Sequence, residues 1–153
     1  EKKTFFGLPS RFYPSAGARY SLEIYLALQN IQKMENGIYH YNVKEHALEK
    51  LLPEDDGQKI RESFAENWAR DAQIIVAVSA KFDRMLNKYQ GRGYRFIMLE
   101  VGALVQNFYL VSSALKLGCC ALGESLDEKI DELIELDSGR ESSLVLLAIG
   151  VKR

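Results

Sequence analysis

The sequence predicts an α+β fold, and three observations carry the architecture. Residues 93–118 (GYRFIMLEVGALVQNFYLVSSALKLG) hold a long apolar run in which 15 of the 22 residues from 96 to 117 are apolar, without proline and without strand-like alternation. Three short strand-like segments follow one another between residues 22 and 52, separated by polar turns, which favours antiparallel pairing. The remaining segments do not alternate regularly between strand and helix, so a parallel βαβ sheet is not expected.

Taken in order, residues 1–13 read as an irregular lead-in across the surface, with aromatics, a glycine and a proline. Residues 22–29 (LEIYLALQ) mix alternation with continuous apolarity and predict a well-buried strand. Asn36-Gly37 marks a turn into 38–42 (IYHYN), where Ile38, His40 and Asn42 alternate with two tyrosines as in a hairpin partner. Residues 47–52 (ALEKLL) suit a third short strand, a helical turn being the alternative. A breaker at 53–57 precedes an amphipathic helix over 58–68, with Ile60, Phe64, Ala65 and Trp68 at helical spacing. Residues 73–82 (QIIVAVSAKF) are short, β-branched and apolar, and predict a central strand. The polar stretch 83–92 reads as a flexible loop of the kind that often carries function.

The run 93–118 then predicts a helix buried on nearly every side, a core and not a surface. At about 100° per residue Arg95, Gly102, Gln106 and Ser113 share one seam, while Glu100 and Asn107 share another flank. A second helix or a polar group could occupy that seam. The length would also suit a membrane span, but Glu100, Gln106 and Asn107 lie near its middle and no second span exists, so no membrane is expected. Gly118 is read as the helix stop, 119–122 as a short extended piece ending at Gly123, and Ser125 as the N-cap of a helix to Leu136 with Glu128 three residues on. Residues 143–151 predict a buried strand. The expectation is thus five strands and three helices.

With 153 residues, 47% hydrophobic and 27% charged, the chain fits one domain over 1–153. Its net charge of −1 and the absence of a Lys/Arg cluster argue against a nucleic-acid binder. Cys119 and Cys120 are adjacent and suit small buried side chains in a reducing, cytoplasmic compartment. His40 and His46 lack any metal-ligand spacing, so no metal is expected. Residues 1–10 have no apolar core of a signal peptide, and the start at Glu1 instead of methionine suggests a processed or trimmed piece. Gly91-Arg92-Gly93 is no dinucleotide fingerprint, and phosphate-loop and nucleophile-elbow patterns are missing.

Three segments could carry chemistry. Residues 14–20 (PSAGARY) combine small residues with Ser15 and Arg19, so backbone N–H groups, a hydroxyl and a guanidinium could approach a flat, oxygen-rich ligand; a tight turn is the plain alternative. Leu122-Gly123-Glu124 allows close backbone approach, as do many strand-to-helix connections. Lys88-Tyr89 pairs two proton carriers in a polar stretch that could equally be solvated.

These segments occur together and in one order: PSAGARYSLEIYLAL, GIYHYNVKEHALEKL, KYQGRGYRF, GALVQNFYLVSSALKLG, CCALG and LLAIG. In that order they resemble the nitroreductase-like flavoproteins, and more narrowly the SagB-type branch that includes oxidases making thiazoles and oxazoles in peptides. The resemblance spans residues 11–150. It implies a dimeric α+β fold with FMN at the subunit interface. It further implies that Pro14, Ser15, Ala16, Gly17 and Arg19 belong to the cofactor site, the first three reaching the flavin from the partner subunit. Leu122, Gly123 and Glu124 would border the isoalloxazine, with Gln106 on the helix beneath. Lys152 or Arg153 would stand near the phosphate, and Lys88 and Tyr89 would be the catalytic pair. The sequence departs from the family in lacking its N-terminal helix of phosphate-binding arginines, for which Lys2, Lys3 and Arg11 are the available substitutes, in Glu124 and Ser125 replacing a glycine and an aromatic, and in Ser21 replacing a proline.

The expected function is an FMN-dependent oxidoreductase acting as a homodimer on a small molecule or peptide, by hydride transfer at flavin N5. The alternatives are an NAD(P)H-dependent nitro or quinone reductase on the same fold, and a flavin-free scaffold subunit.

Overall fold

The structure, a computed structural model, describes residues 2–3, 9–62, 64, 67–123, 127–137 and 139–151. Its elements in chain order are β1 (Lys2–Lys3), β2 (Pro9–Ser10), β3 (Leu22–Leu28), β4 (Gly37–Asn42), β5 (Ala47–Leu52), α1 (Glu54–Glu62), α2 (Asn67–Arg70), β6 (Ile74–Lys81), α3 (Phe82–Tyr89), α4 (Gly91–Ala114), β7 (Leu117–Leu122), α5 (Asp127–Leu133) and β8 (Glu141–Val151). The α+β class holds. β1 and β2 form a two-residue pairing, and the other strands make one six-stranded sheet in the order β5-β4-β3-β6-β8-β7, antiparallel throughout.

The pattern of β6 explains the layering. Ile75 and Ala77 point to one face, Val76, Val78 and Ala80 to the other, and all five are buried. A strand apolar on both sides must be covered on both sides. On the first face Tyr25, Ala27, Ile38, Leu146 and Ala148 join Ile75 and Ala77 under Ile60 and Phe64, Ala69 of α2, and Ile130 and Ile134. On the second, Leu22, Leu147 and Ile149 join Val76 and Val78 under Met85 of α3 and Ile97 and Leu104 of α4. β5 closes the sheet as an edge strand, with five of its six residues exposed.

Several expectations need correction. The stretch 83–92 is not a flexible loop: α3 occupies most of it, because Phe82, Met85, Leu86 and Tyr89 recur at helical spacing and Met85 is fully buried. Gln90 breaks the chain between α3 and α4 with φ 48°, ψ −139°. Gly93 then allows the two helices to touch, since a Cβ there would lie 2.9 Å from Leu86 Cδ2. The breaker at 53–57 lies largely in α1, which acidic residues at 54–56 favour at a helix start. Gly118 does not stop the long helix: Lys116, at φ 60°, does so, and Gly118 pairs with Gly150 inside β7. Ser125 lies outside the described residues.

The long helix is also less enclosed than expected. Gly93, Ile97, Glu100, Leu104 and Ser112 are buried, but Tyr94, Leu99, Tyr109, Leu110, Val111 and Leu115 are exposed, Leu99 and Leu115 by 64% and 65%. The predicted seam of Arg95, Gly102, Gln106 and Ser113 lies on this outward side. One sheet can cover only one flank of a helix. Among the described residues α4 alone has the length and apolarity of a membrane span.

Candidate functional site

The turn after Pro14 is built on backbone conformations that most side chains avoid. Gly17 sits at φ 60°, and Ala18 and Tyr20 at 53° and 48°, within and beside a single 3-10 turn at Ala16–Ala18. Such a turn persists only when its surroundings hold it. Glu100 of α4 does so. Its carboxyl group is 1% exposed and accepts from the Ser15 hydroxyl, from Ser21 N–H at 3.0 Å and from the Ser21 hydroxyl at 2.7 Å. The Ser15 oxygen accepts in turn from Tyr20 N–H at 2.8 Å. Three donors satisfy a carboxyl group that burial would otherwise penalise heavily. Asn107, about two helical turns further along α4, donates to the Phe12 carbonyl at 2.8 Å and fastens the lead-in.

Lys88 and Tyr89 end α3 beside this turn. A Cβ added to Gly17 would lie 2.6 Å from the Tyr89 hydroxyl and 2.9 Å from Lys88 Nζ, so both polar groups reach the Gly17 backbone. Lys88 Nζ stands 5.3 Å from the Tyr89 ring centre, and Tyr89 packs edge-on against Phe96 at 5.0 Å. Aromatic packing orients the Tyr89 phenol towards the turn.

The other predicted residues are not gathered here. Leu122 pairs with Leu146 at the far edge of the sheet, and Gly123 follows it. β7 is separated from β3 by β6 and β8, roughly 14 Å at the usual strand spacing of about 4.8 Å. Gln106 lies on the outward side of α4. Cβ atoms at Gly102 and Gly123 would meet nothing within 4 Å, so both backbones are open to close approach from outside the chain. Arg19 lines a second cleft, on the side of the turn facing β3 and β4. Glu124, Lys152 and Arg153 lie outside the described residues. A further cavity of about 360 Å³ borders the beginning of β7 near Trp68 and holds none of the predicted residues. Among the described residues no cluster could hold a metal.

Sequence reasoning missed the part played by Glu100. The available signal was that it is the sole acidic residue between positions 96 and 117. An isolated carboxylate in an apolar helix needs donors, and they come from a turn 79 and 85 residues earlier.

Residues 7–151 match the Nitroreductase family. The chain belongs to the nitroreductase family. MJ1384 of Methanocaldococcus jannaschii, named as a candidate nitroreductase, is 32% identical over 140 residues, covering 91% of this chain and 69% of its own length. The microcin B17-processing protein McbC of Escherichia coli is 27% identical over 150 residues, 94% of this chain and 55% of McbC. This nitroreductase-family chain therefore spans about two thirds of one relative and little more than half of the other.

Among solved structures, a nitroreductase-named protein of Anabaena variabilis superimposes with TM-score 0.83 at 28% identity, over 90% of this chain and 28% of that one. The E. coli microcin synthetase McbBCD complex, with truncated pro-MccB17 bound, does so with TM-score 0.79 at 26% identity, over 96% and 57%. An FMN complex of a nitroreductase-named protein from Desulfovibrio desulfuricans shares the fold at TM-score 0.58 and 20% identity, over 91% of this chain and 66% of that one. The resemblance read from the sequence, to nitroreductase-like proteins with peptide-processing members, is borne out.

Proposed function

We propose that this chain is the core of an FMN-dependent oxidoreductase of the SagB-type branch, acting as a homodimer in which each flavin lies between the turn of one subunit and the β7 end of the other. The observation that carries the reading is the meeting of Lys88 Nζ, Tyr89 Oη and the Gly17 backbone while Leu122 and Gly123 lie across the sheet. A single chain offers half a site twice, and a two-fold pairing completes both halves.

The residues fit a flat conjugated ring. The absence of side chains at Gly102 and Gly123 leaves backbone accessible, and the Gly17 backbone, flanked by the small Ser15 and Ala16, brings Tyr89 Oη and Lys88 Nζ to the same place. Pro14, Ser15, Ala16 and Gly17 hold the ring from one subunit, with Leu122, Gly123, Glu124 and Gln106 from the other; Lys152 and Arg153 supply charge near the phosphate. FMN, when bound, supplies a two-electron acceptor for hydride at N5. The chain's own residues do the rest. The apolar side chains of α4 exclude water, and Glu100 holds the turn. As a C–H bond of the substrate gives up hydride, the proton of the heteroatom left behind passes to Lys88 as the neutral amine or to Tyr89 as the phenolate, a task that general acid–base catalysis makes worth about 10²–10⁴-fold. The free thiols of Cys119 and Cys120 suit a reducing, cytoplasmic setting. The substrate is a small molecule or a peptide, the latter favoured by the likeness to McbC.

The test is to reconstitute the purified protein with FMN and follow its visible spectrum. The expected result is a yellow protein that dithionite bleaches, in which Lys88→Ala and Tyr89→Phe each lower turnover about 100-fold or more without removing flavin. Turnover unchanged in both variants contradicts the catalytic assignment. A colourless protein points to the flavin-free scaffold, and rapid bleaching by NAD(P)H to a nitro or quinone reductase.

A further inference from the structure

The turn after Pro14 has a second side, and its chemistry differs. Ala18, Arg19 and Tyr20 open onto a cavity of about 460 Å³ lined also by Arg11, Lys44, Arg84, Glu23 and His40. Four permanent cations face one carboxylate there, in a chain whose net charge is −1.

Two of the cations are fixed. Arg11 donates through Nη1 to the Leu22 carbonyl at 2.6 Å and to the Tyr13 hydroxyl at 3.1 Å, with its guanidinium 5.6 Å from the Tyr20 ring centre. Arg84 donates through Nη1 to the Tyr20 carbonyl at 3.1 Å and pairs through the same nitrogen with Glu23 Oε1 at 2.5 Å. Each guanidinium thus spends one nitrogen on the protein. A guanidinium carries five N–H donors in a planar fork, and among the described residues Nε and Nη2 of both arginines have no partner. The other two cations are not tethered in this way. Arg19 on the turn and Lys44 on the β4–β5 connection make no side-chain hydrogen bond or ion pair among the described residues. Glu23 cannot neutralise them, being already shared between Arg84 and His40 Nε2 at 3.1 Å.

We propose that this cleft binds a phosphate group, as a free anion or an ester, separate from the redox cofactor, and that Arg11 and Arg19 serve this group and not the FMN to which the family resemblance would assign them. Two preorganised guanidinium edges offer paired donors to the oxygens of a phosphate, and two further cations on the cleft's rim add the charge that a dianion calls for. The volume exceeds that of a bare ion and accommodates a phosphorylated small molecule. The inference stands on the cleft and does not require FMN to bind.

The experiment is a calorimetric titration of the full chain with inorganic pyrophosphate, with and without saturating FMN, repeated with inorganic phosphate and glycerol phosphate. One site is expected in both forms, weakened by salt, and weakened about tenfold or more in Arg19→Gln/Lys44→Gln with an unchanged melting temperature. The charge-matched control Lys129→Gln/Arg140→Gln is expected to bind as the native chain does. Tighter binding of glycerol phosphate than of phosphate identifies an ester; the reverse identifies the free ion, and either upholds the inference. No binding by the native chain, an equal loss in the control, or loss of binding once FMN is present overturns it. A protein that takes up pyrophosphate but no FMN upholds this site and contradicts the flavin reading.

Discussion

At the scale of single residues, Gly17 and Glu100 set the geometry on which the proposed chemistry depends. Alanine at position 17 would meet both a left-handed backbone, costing about 1–2 kcal/mol, and the Tyr89 hydroxyl within 2.6 Å. Gly17→Ala is therefore expected to lower stability by about that amount in denaturant titration and to lower turnover further by displacing Tyr89 and Lys88. Glu100→Ala leaves two hydroxyls and an N–H without their acceptor, and about 2–4 kcal/mol of destabilisation is expected. Glu100→Gln keeps one acceptor oxygen, which can serve Ser21, but turns an NH2 group towards Ser15 and so removes the acceptor of its hydroxyl; faster amide exchange at residues 15–21 with the rest of the chain unchanged checks this. The turn and the Lys-Tyr pair were legible in the sequence because each is a contiguous motif. Glu100 was not legible as its support, since the pairing is made by folding and leaves only an isolated acidic residue to notice.

At the scale of elements, β3, β4 and α3 meet at a buried ionic cluster. Burial pushes the Glu23 carboxyl up, but the hydrogen bond to His40 and the charge of Arg84 outweigh it and hold the group below its ordinary value of 4.5. The folded state thus binds the proton less readily than the unfolded chain. The stabilisation is complete above pH 4.5 and is lost as pH falls through the lower folded value. Acid unfolding followed by circular dichroism is expected to show this loss, and Glu23→Gln to show a shallower one. Of the elements that sequence reasoning placed well, β3, β4, β6 and β8 carry alternation or β-branching and so announce their period, whereas β5 was placed by the polar turn before it. α3 was misread because its surface residues are polar and its four apolar ones are sparse, although Phe82, Met85, Leu86 and Tyr89 keep helical spacing. The end of α4 was misplaced because glycine is the usual stop, whereas Lys116 takes the left-handed position.

At the scale of the whole molecule, the exposed side of α4 is the feature a single chain leaves unexplained. Apolar patches of this kind mark interaction surfaces. The sequence read the helix as buried because its composition is apolar all round; it cannot say whether the same chain or another provides the cover. A second copy is the cover proposed here, and Leu99→Glu on that face is expected to shift the protein towards monomer in gel filtration while leaving the sheet core folded. The fold class was legible from three contiguous patterns. Strand order was not legible; it puts β6 and β8 between β3 and β7 and so separates Leu122 from the turn within one chain, in keeping with the family resemblance, which brings Pro14, Ser15 and Ala16 to the flavin from the partner subunit.

Sedimentation velocity monitored at the flavin's visible absorbance tests the shared site most directly, using native chain, a Gly17→Val variant, a Gly123→Val variant and an equimolar refolded mixture of the two. The account predicts that flavin travels with a species of twice the chain mass, that each variant alone loses it, and that the mixture regains about a quarter, since random pairing makes half of the dimers mixed and each mixed dimer has one intact site of two. Flavin travelling with single chains, or a mixture as colourless as its components, would contradict it.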